Sequence, residues 1–371
     1  MIFIGLLIIV AFCGYLITPD QTPFANRQQL EIAAKKPGFK VSLLKITNNE
    51  PAVACNIFRK ILYGCPSQAR FVPLSNWYFK GDSIFIEGLS DTESDALTFQ
   101  YHLKNVIYAL PSGDVNSSED LNGNRIIDDT LLLQEKTRDE FIETRTFLLG
   151  TDRFGRDVLS QLMIGARVSL SVGLISVLIS LLVGITLGAL AGYFKGRVDD
   201  FIIWFINVVW SIPTILLVIA ITFALGKGFW QVFVAVGLTM WVEVARVVRG
   251  QFISIREKEF VEAARALGFG NLRIIFRHML PNTLGPVIVI SAANFASAIL
   301  IEAGLSFLGI GVQPPMPSWG TMVKENYAYI ILDNPWLALL PGLSIMLLVL
   351  AFMLVGNALR DALDVKTTLQ V

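Results

Sequence analysis

Apolar residues occur along the chain in six stretches, separated by charged and turn-forming segments. A transmembrane helix needs about 20 consecutive, predominantly apolar residues. The pattern therefore predicts an all-α polytopic membrane protein. Its predicted spans lie at residues 2–18, 166–193, 200–225, 229–249, 284–307 and 336–358.

The long polar segment between the first and second predicted spans, residues 19–150, differs from the rest of the chain. Short strand-like runs, such as 39–46 and 83–86, alternate in it with turns rich in Gly, Pro, Asn and Asp. Such alternation is typical of β-structure. We therefore expect an inserted domain of α+β or mostly β character.

Composition agrees with a membrane location. Of the 371 residues, 54% are hydrophobic and only 16% are charged, against about 25% in soluble domains. This apolar composition leads us to expect contact with the lipid bilayer. The formal net charge is zero, which gives no indication of nucleic-acid binding, so we expect no nucleic-acid partner. The run at 2–18 lacks a basic start and a small-residue cleavage site, which favours a span over a removable signal peptide. Because this run begins next to Met1, a start upstream of Met1 stays open.

The distribution of basic residues predicts the orientation, because short loops rich in Lys and Arg stay in the cytoplasm. The loop at 308–335 contains a single basic residue, Lys324. The segment 246–278 is therefore cytoplasmic, both termini are cytoplasmic, and residues 19–165 lie outside. The basic residues of the cytoplasmic segment are Arg246, Arg249, Arg256, Lys258, Arg265, Arg273 and Arg277.

The chain has three cysteines. Cys13 lies in an apolar run and is expected to be a packed thiol. Cys55 and Cys65 lie ten residues apart in the polar insert, and outside the cytoplasm they can form a disulfide. Two cysteines make no recognisable framework, so a disulfide and two free thiols both stay open.

The segment between the fourth and fifth predicted spans has the pattern of two short helices. Ser254 and Glu257 form the S-x-x-E pattern of a helix start, and Gly268 is placed to end that helix. Asn271 is expected to cap a second short helix, which Pro281 ends before the next span. The first helix has an apolar face and a charged face, formed by Phe260, Val261, Ala264 and Leu267 and by Glu259, Glu262 and Arg265 respectively.

On the residues alone, this segment is either an amphipathic loop on the membrane surface or a docking site for a soluble protein. It resembles the EAA loop of bacterial ABC-importer permeases, through which a separate ATPase moves the membrane helices. Glu262 is followed by Gly268 six residues later and by Pro281 a further thirteen residues on. The resemblance assigns ATPase coupling to Glu262, Ala263, Ala264, Gly268, His278 and Pro281.

Three further stretches resemble signatures of the dipeptide, oligopeptide and nickel branch of these permeases. They are residues 150–157 with 165–167, residues 302–320, and residues 356–361. Two features depart from the family pattern. Val365 stands where the family usually has proline, and the 19–150 insert is far longer than the usual external segment.

The resemblance implies the type I ABC-importer permease fold, with six transmembrane helices and an extracytoplasmic insert between the first two. The implied function is ATP-driven import of di- or oligopeptides across the bacterial inner membrane, with nickel complexes as a narrower option. The implied partners are a second homologous permease, two ABC ATPase subunits and an extracytoplasmic substrate-binding protein. Those ATPases use the ATP, so this chain is expected to be no enzyme and to bind no cofactor directly. The implied divisions are a first helix at 1–18, the insert at 19–150, a core at 151–364 with the coupling loop at about 250–283, and a tail at 365–371.

Polar residues inside the predicted spans face the protein interior or a water-filled path. Glu243 lies one turn before Arg246, with which it is expected to form an ion pair. Glu302 is expected to hold the loop that follows it rather than to carry protons. On one side of the fifth span, three residues form hydrogen bonds between helices or line the translocation path: Ser291, Asn294 and Ser297.

Small residues recur on the second predicted span, where Gly184, Gly188 and Gly192 lie four apart. This spacing lets helix backbones approach closely in lipid. The contact is either tight packing inside one subunit or a moving or inter-subunit contact.

A calcium site is a further alternative in the insert, because residues 120–128 resemble the first part of a calcium-binding loop. Arg125 replaces the usual Gly, and Leu131 replaces the usual Glu. A solvated turn and a calcium site therefore both stay open. The candidate ligands are Asp120, Asn122, Asn124 and Asp128.

Missing motifs narrow the function. The chain has no G-x-x-x-x-G-K-[ST] loop for ATP phosphates, no paired-histidine metal motif and no G-x-S-x-G turn. A stand-alone secondary transporter or channel is the main alternative, and an intramembrane enzyme is a third. Ion coupling needs ionisable groups at mid-membrane depth, and the spans contain only Glu243 and Glu302, both near span ends.

Overall fold

The computed structural model describes residues 2–51, 54–89, 97–110, 117–226, 228–332 and 334–368, with side chains as far as Leu363. Met1, the side chain of Val365 and residues 369–371 of the predicted tail lie outside this described part. The chain divides into two units. The membrane unit comprises Met1–Ala11, Gly165–Tyr327 and Ala338–Val371, and the insert unit comprises Phe12–Ile164 and Ala328–Leu337. The insert unit thus extends beyond residues 19–150 at both ends.

Helices dominate the membrane unit, and shorter helices occur in the insert unit. In chain order, the α-helices are α1 (Ile2–Ile17), α2 (Ile57–Tyr63), α3 (Leu103–Ile107), α4 (Thr130–Lys136), α5 (Val158–Phe194), α6 (Gly196–Trp210), α7 (Thr214–Leu225), α8 (Phe229–Arg256), α9 (Glu259–Ala266), α10 (Asn271–Arg273), α11 (Leu280–Phe307), α12 (Trp319–Asn326) and α13 (Trp336–Thr368). Two π-helical segments, Thr137–Phe141 and Ile274–Met279, and three short 3₁₀ turns complete the helical elements of the described residues.

Several of these helices can cross a bilayer. Among the described residues, α5, α8, the continuous helix Asn271–Phe307 and most of α13 are long and apolar enough. Helices α6 and α7 are each too short to qualify alone, with 15 and 12 residues. They qualify as a pair, which is bent by 92° at the break between them. Helix α1 is apolar but shorter, with 16 residues.

The third predicted span is wrong as a single helix across 200–225. The chain leaves the helix at 211–213 and starts again at Thr214. Pro213 has no backbone N–H to donate, and its ring disfavours a helical conformation at Ile212. The break therefore follows directly from one proline.

Helix α5 begins before the predicted start at 166, because Asp157 caps it. The backbone N–H of Ser160 donates to the Asp157 carboxylate at 2.9 Å, which satisfies one of the free N–H groups of the first turn. Burial raises the pKa of the Asp157 carboxyl, and the hydrogen bonds from Ser160 oppose that shift.

Helix α5 packs closely on α8 along the three glycines of the predicted stripe. A Cβ added at Gly188 would lie 2.5 Å from the Ala245 carbonyl oxygen. Additions at Gly184 and Gly192 would lie 2.5 Å from the Cβ atoms of Val244 and Phe252. The stripe therefore makes a tight contact inside this chain.

The insert unit contains two antiparallel three-stranded sheets. The strands are β1 (Phe39–Thr47), β2 (Ala69–Leu74), β3 (Asn76–Lys80), β4 (Ser83–Glu87), β5 (Thr98–His102) and β6 (Ile142–Phe147). The sheet orders are β2-β1-β6 and β3-β4-β5. The strand-like runs at 39–46 and 83–86 correspond to β1 and β4, which confirms those two predictions. With α2, α3 and α4, the insert unit is α+β.

One hydrophobic core joins both sheets of the insert unit. Leu44 of β1, Ile84 and Ile86 of β4, and Leu103 of α3 are fully buried in it. The structure also joins Cys55 to Cys65 in a disulfide with Cα atoms 6.1 Å apart. Cys13 is a free thiol.

Candidate functional site

Helix α9 is the first part of the segment that the sequence predicts to be a docking site. It follows α8 after only Glu257 and Lys258, and Lys258 precedes the helix in an extended conformation without a side-chain cap. The predicted capping box of Ser254 and Glu257 is wrong, because α8 continues through Ser254 to Arg256. An unbroken helix leaves the backbone N–H groups near Ser254 already bonded, so none needs a cap.

Helix α9 ends as predicted at Gly268, whose φ angle is +76°. The N–H of Phe269 donates to the carbonyl of Ala264 at 3.1 Å, and the N–H of Gly268 donates to that of Arg265 at 2.9 Å. This pattern of bonds satisfies carbonyls that the helix end would otherwise leave free. The turn after α9 is therefore fixed by backbone hydrogen bonds.

The apolar face of α9 is only partly covered. Val261 and Ala264 are buried in a cluster with residues of α8 and α11. Phe260 and Leu267, predicted for the same face, stay 43% and 72% exposed. The predicted face is wider than the surface of this chain that covers it, so two large apolar side chains remain open to solvent.

The charged side of α9 faces away from this cluster. Glu259, Glu262 and Arg265 are all exposed, as predicted. The exposed apolar pair lies beside these charges on a short, fixed helix. We define the α9 surface as Phe260 and Leu267 together with Glu259, Glu262 and Arg265; its mixed chemistry suits contact with a soluble protein.

The second short helix differs from its prediction. Gly270, and not Asn271, precedes α10, and the Asn271 carboxamide oxygen instead accepts a hydrogen bond from the Tyr193 hydroxyl at 2.8 Å. Pro281 does not end this helix, since α10 continues through Ile274–Met279 into α11. A proline is tolerated in a first helical turn, and here the π-helical segment precedes it.

His278 lies half-buried in this π-helical segment, and its ring stacks on Phe269 with 5.8 Å between centroids. Of the other residues assigned to coupling, Ala264 is buried, whereas Glu262, Ala263, Gly268 and Pro281 are exposed. The structure thus gathers these residues around one turn and presents most of them at the surface.

A cavity of about 340 Å³ lies beside the break between α6 and α7, and helices α8 and α11 complete its wall. Ser297 lines this cavity. Ser291 instead donates to the carbonyl of Val287 at 2.6 Å, and Asn294 is 1% exposed. The three path candidates therefore do not share one surface, and only Ser297 reaches the cavity.

Glu243 also lines this cavity, and its predicted ion pair with Arg246 is wrong. The guanidinium of Arg246 lies 3.5 Å from the centroid of the Trp210 ring and donates to the carboxamide oxygen of Asn207 at 3.0 Å. Both partners belong to α6, which lies against α8. This packing draws the arginine away from its neighbour on α8.

Glu302 lies fully buried near the end of α11. Its carboxylate accepts a hydrogen bond from the Ser306 hydroxyl at 2.7 Å, and the Ser306 hydroxyl in turn accepts from the N–H of Val312 at 3.2 Å. These contacts agree with the predicted role of holding the loop. Beyond it lies α12, which Ser318 and Thr321 cap. This helix was not predicted from the sequence, although a serine at this position is a signal of a helix start.

The 150–157 stretch forms a tight turn inside the insert unit. Asp152 accepts from the Arg156 guanidinium at 2.6 Å, and both side chains are buried. The N–H of Gln29 donates to the carbonyl of Phe154 at 3.0 Å. A segment near residue 29 is therefore bound to this turn, a pairing that nothing in the sequence pattern indicated.

The calcium candidates do not form an open site. The Asp120 carboxylate accepts from the backbone N–H groups of Asn122 and Asn124 at 2.9 and 2.7 Å, so it closes its own turn. Although its slight burial acts the other way, these hydrogen bonds and one from the Asn124 side chain lower the pKa of Asp120. Asp128 pairs with the Lys104 ammonium at 2.6 Å. In the part of the chain that the structure describes, no three His, Cys, Asp or Glu side chains cluster so that they could hold a metal ion. The hydrogen bonds that Asp120 makes within its own turn favour the solvated turn.

Comparison with known proteins gives consistent matches. A family model described as "Binding-protein-dependent transport system inner membrane component" matches residues 184–368. The dipeptide transport system permease protein DppC of Alkalihalophilus pseudofirmus is 46% identical over 217 residues, 58% of this chain and 71% of that protein. The glutathione transport system permease protein GsiD of Pectobacterium atrosepticum is 42% identical over 59% of this chain and 72% of that protein.

The oligopeptide transport system permease protein OppC of Haemophilus influenzae is 40% identical over 58% of this chain and 70% of that protein. Among solved structures, the inward-facing MetNI methionine ABC transporter matches with a TM-score of 0.47 and 18% identity, over 55% of this chain and 96% of that one. That structural similarity is too weak to carry an argument.

The apolar helices of the membrane unit and the exposed α9 surface define a class, that of helical membrane permeases. The chain belongs to the family of binding-protein-dependent transport system inner membrane components, and it is a permease subunit of an ABC importer. It is thus a multi-pass protein of the inner membrane, and its family works with ATPase and substrate-binding partners. This membership replaces the stand-alone secondary transporter or channel as the interpretation of the chain, and the relatives named above are transport permeases.

Proposed function

We propose that this chain is one of two homologous permeases in an ATP-driven importer of di- or oligopeptides. The names of the dipeptide and oligopeptide permeases to which it is similar support this substrate class. Nickel complexes are the narrower option that the sequence resemblance leaves. The second permease, two ATPase subunits and an extracytoplasmic binding protein complete the proposed assembly.

The α9 surface is the observation that carries the proposal. A short helix that is capped at Gly268 and anchored by Val261 can transmit force without unfolding. Its two exposed apolar side chains and its charged residues are suited to a groove on an ATPase subunit. ATP-driven closure of the two ATPases would pull α9, and the continuous helix Asn271–Phe307 would carry that movement into the membrane.

The proposed topology has six spans: α1, α5, the α6 and α7 pair, α8, α11 and α13. Both termini and α9 are then cytoplasmic, whereas the insert unit is extracytoplasmic. A disulfide between Cys55 and Cys65 supports this placement, because disulfides persist in oxidising compartments. The substrate path would pass along the cavity that Ser297 lines.

Capture of the ATPase tests the proposal. Purified tagged chain from cells that express the whole transporter should bring down an ATPase subunit, and Glu262→Lys should lose it. The matched control is Glu140→Lys, which reverses an exposed carboxylate in the insert unit. Proteoliposomes of the captured complex should import labelled trialanine when ATP and the binding protein are present. Equal ATPase capture by Glu262→Lys would contradict the coupling role, and absent trialanine uptake would contradict the substrate class.

A further inference from the structure

The cavity beside the α6 and α7 break contains an unpaired carboxylate. Among the described residues that line it, Glu243 is the ionisable one, and its side chain is exposed. The nearest cation along α8, Arg246, is bound to Trp210 and Asn207 instead. Within the described part of the chain, no basic group lies within 4 Å of the Glu243 carboxylate.

The position of Glu243 makes this lack of a partner costly. At about 1.5 Å per residue, it lies about 9 Å inside the cytoplasmic end of the predicted span 229–249. A carboxylate at such a depth normally pairs with a cation or faces a water-filled path. Glu243 therefore either faces water in the cavity or pairs with a cation that comes from outside the described residues of this chain.

The broken span independently marks the same place. Residues 211–213 leave their backbone non-helical, and lipid tolerates such backbone only where it is buried in protein or lines a cavity. Helices broken in this way commonly flank binding sites in transporters.

The rest of the lining suits a small amphipathic molecule. Hydroxyl groups come from Thr214, Thr239 and Ser297, and apolar contact comes from Leu217 and Met240. A volume of about 340 Å³ lies at the lower end of the range for small-molecule sites. One carboxylate, three hydroxyls and an apolar wall match a short peptide with a free amino terminus.

We propose that Glu243 binds the ammonium group of the substrate as it passes through this permease. This inference rests on the proposed peptide import and adds to it a binding group and a required charge. A cation of the second permease is the competing partner for Glu243, and it is separated by the experiment below.

The experiment varies the charge at residue 243 in the complete transporter, reconstituted with its binding protein and labelled trialanine. Glu243→Gln keeps the volume and removes the charge, and Glu140→Gln is the matched surface control. Glu243→Cys, in a Cys13→Ala background, allows two thiol reagents to add either a sulfonatoethyl or a trimethylammonioethyl group. Cys55 and Cys65 are held in their disulfide and do not react. Mass spectrometry measures the modified fraction.

We expect Glu243→Gln and unmodified Glu243→Cys to lower trialanine uptake by about tenfold or more, because a charge pair is lost. The anionic adduct should restore uptake, whereas the cationic adduct should not. Complex yield and ATPase capture should stay at the wild-type level throughout.

Three results would overturn the inference: wild-type uptake by Glu243→Gln, the same uptake with both adducts, or no modification of Glu243→Cys, which would mean that the cavity is dry. A fourth result would also overturn it: a fall in complex yield for all variants of residue 243 would assign the carboxylate to the contact with the second permease. Absent uptake by the wild-type complex would contradict the proposed function, which is a separate failure.

Discussion

Gly268 shows how one residue determines the shape of the α9 surface. Its φ angle of +76° lies in the left-handed region, where a residue with a Cβ costs about 1–2 kcal/mol. The turn at Gly268 returns the chain to the buried Ile274 and Ile275. A change at this glycine should therefore act on the docking surface while most of the fold is kept.

Gly268→Ala should lower the binding-protein-stimulated ATP hydrolysis of the reconstituted complex, because the strained turn moves α9 out of position. Gly270→Ala is the matched control. Gly270 lies two residues later at a φ angle of −66°, and nothing lies within 4 Å of an added Cβ. Equal ATP hydrolysis in the two variants would show that the left-handed turn plays no part in coupling.

At the scale of elements, the contact between α5 and α8 depends on missing side chains. The backbones approach so closely at Gly184, Gly188 and Gly192 that any Cβ would overlap α8. Without a hydrophobic driving force between helices in lipid, such close packing supplies much of their association. Arg249 of α8 also forms an ion pair with Asp199 of α6, and the buried side of α9 packs against residues of both α5 and α8. The spacing of α5 and α8 therefore sets the position of the docking segment.

Gly188→Ala should lower the free energy of unfolding of the detergent-purified protein by about 1–3 kcal/mol, the cost of overpacking a well-packed core. Its melting temperature should fall accordingly. The added methyl group meets a backbone carbonyl at 2.5 Å, and neither helix can yield without moving. Gly342→Ala on α13, where an added Cβ meets nothing within 4 Å, should leave the melting temperature unchanged. Equal melting temperatures for both variants would show that the close contact at the three glycines does not contribute to stability.

At the scale of the whole molecule, most of the insert unit lies outside residues 184–368, which the family model matches. Phe39 and Phe147 are directly paired where β1 meets β6, so the domain leaves and rejoins the chain at one place. The segment around Gln29 and the turn at Phe154 are bonded to each other outside the two sheets. The sheets can therefore be removed without cutting this attachment.

Replacement of residues 40–146 by an Asn-Gly turn should leave a protein that inserts and captures the ATPase. Paired strand residues lie about 5 Å apart, a gap that a two-residue turn closes. We propose that the insert unit helps to receive the binding protein outside the membrane, so uptake from limiting binding protein should fall. Unchanged uptake over the whole range from limiting to saturating purified binding protein would contradict the receiving role.

Orientation is tested by a reporter enzyme that is active only outside the cytoplasm. Inserted at Gly81, in the exposed turn between β3 and β4, it should be active, and inserted at Arg273 it should be inactive. The reason is the basic bias of the 246–278 segment. The reverse pattern would overturn both the topology and the docking of an ATPase on α9. The reporter at Ser90, the other natural choice in the insert, falls outside the described residues.

The sequence by itself determined most of the apolar membrane helices, the mixed character of the insert and the end of α9, because these depend on local properties. Apolar run length, alternation of short strands with turns, and the steric freedom of glycine all act within a few residues. Pro213 is likewise a local signal of a helix break, although the predicted span at 200–225 runs through it.

The tertiary structure alone decided which groups meet. Arg246 binds Trp210 and Asn207 rather than Glu243, because α6 packs beside α8 and offers a closer aromatic face. Phe260 stays exposed beside buried Val261, since the covering surface comes from helices distant in sequence. Ser297 reaches a cavity, whereas Asn294 on the same helix does not. The packing of whole helices determines which residues distant along the chain come into contact. The periodicity of apolar residues along one helix does not show against which other helix it packs.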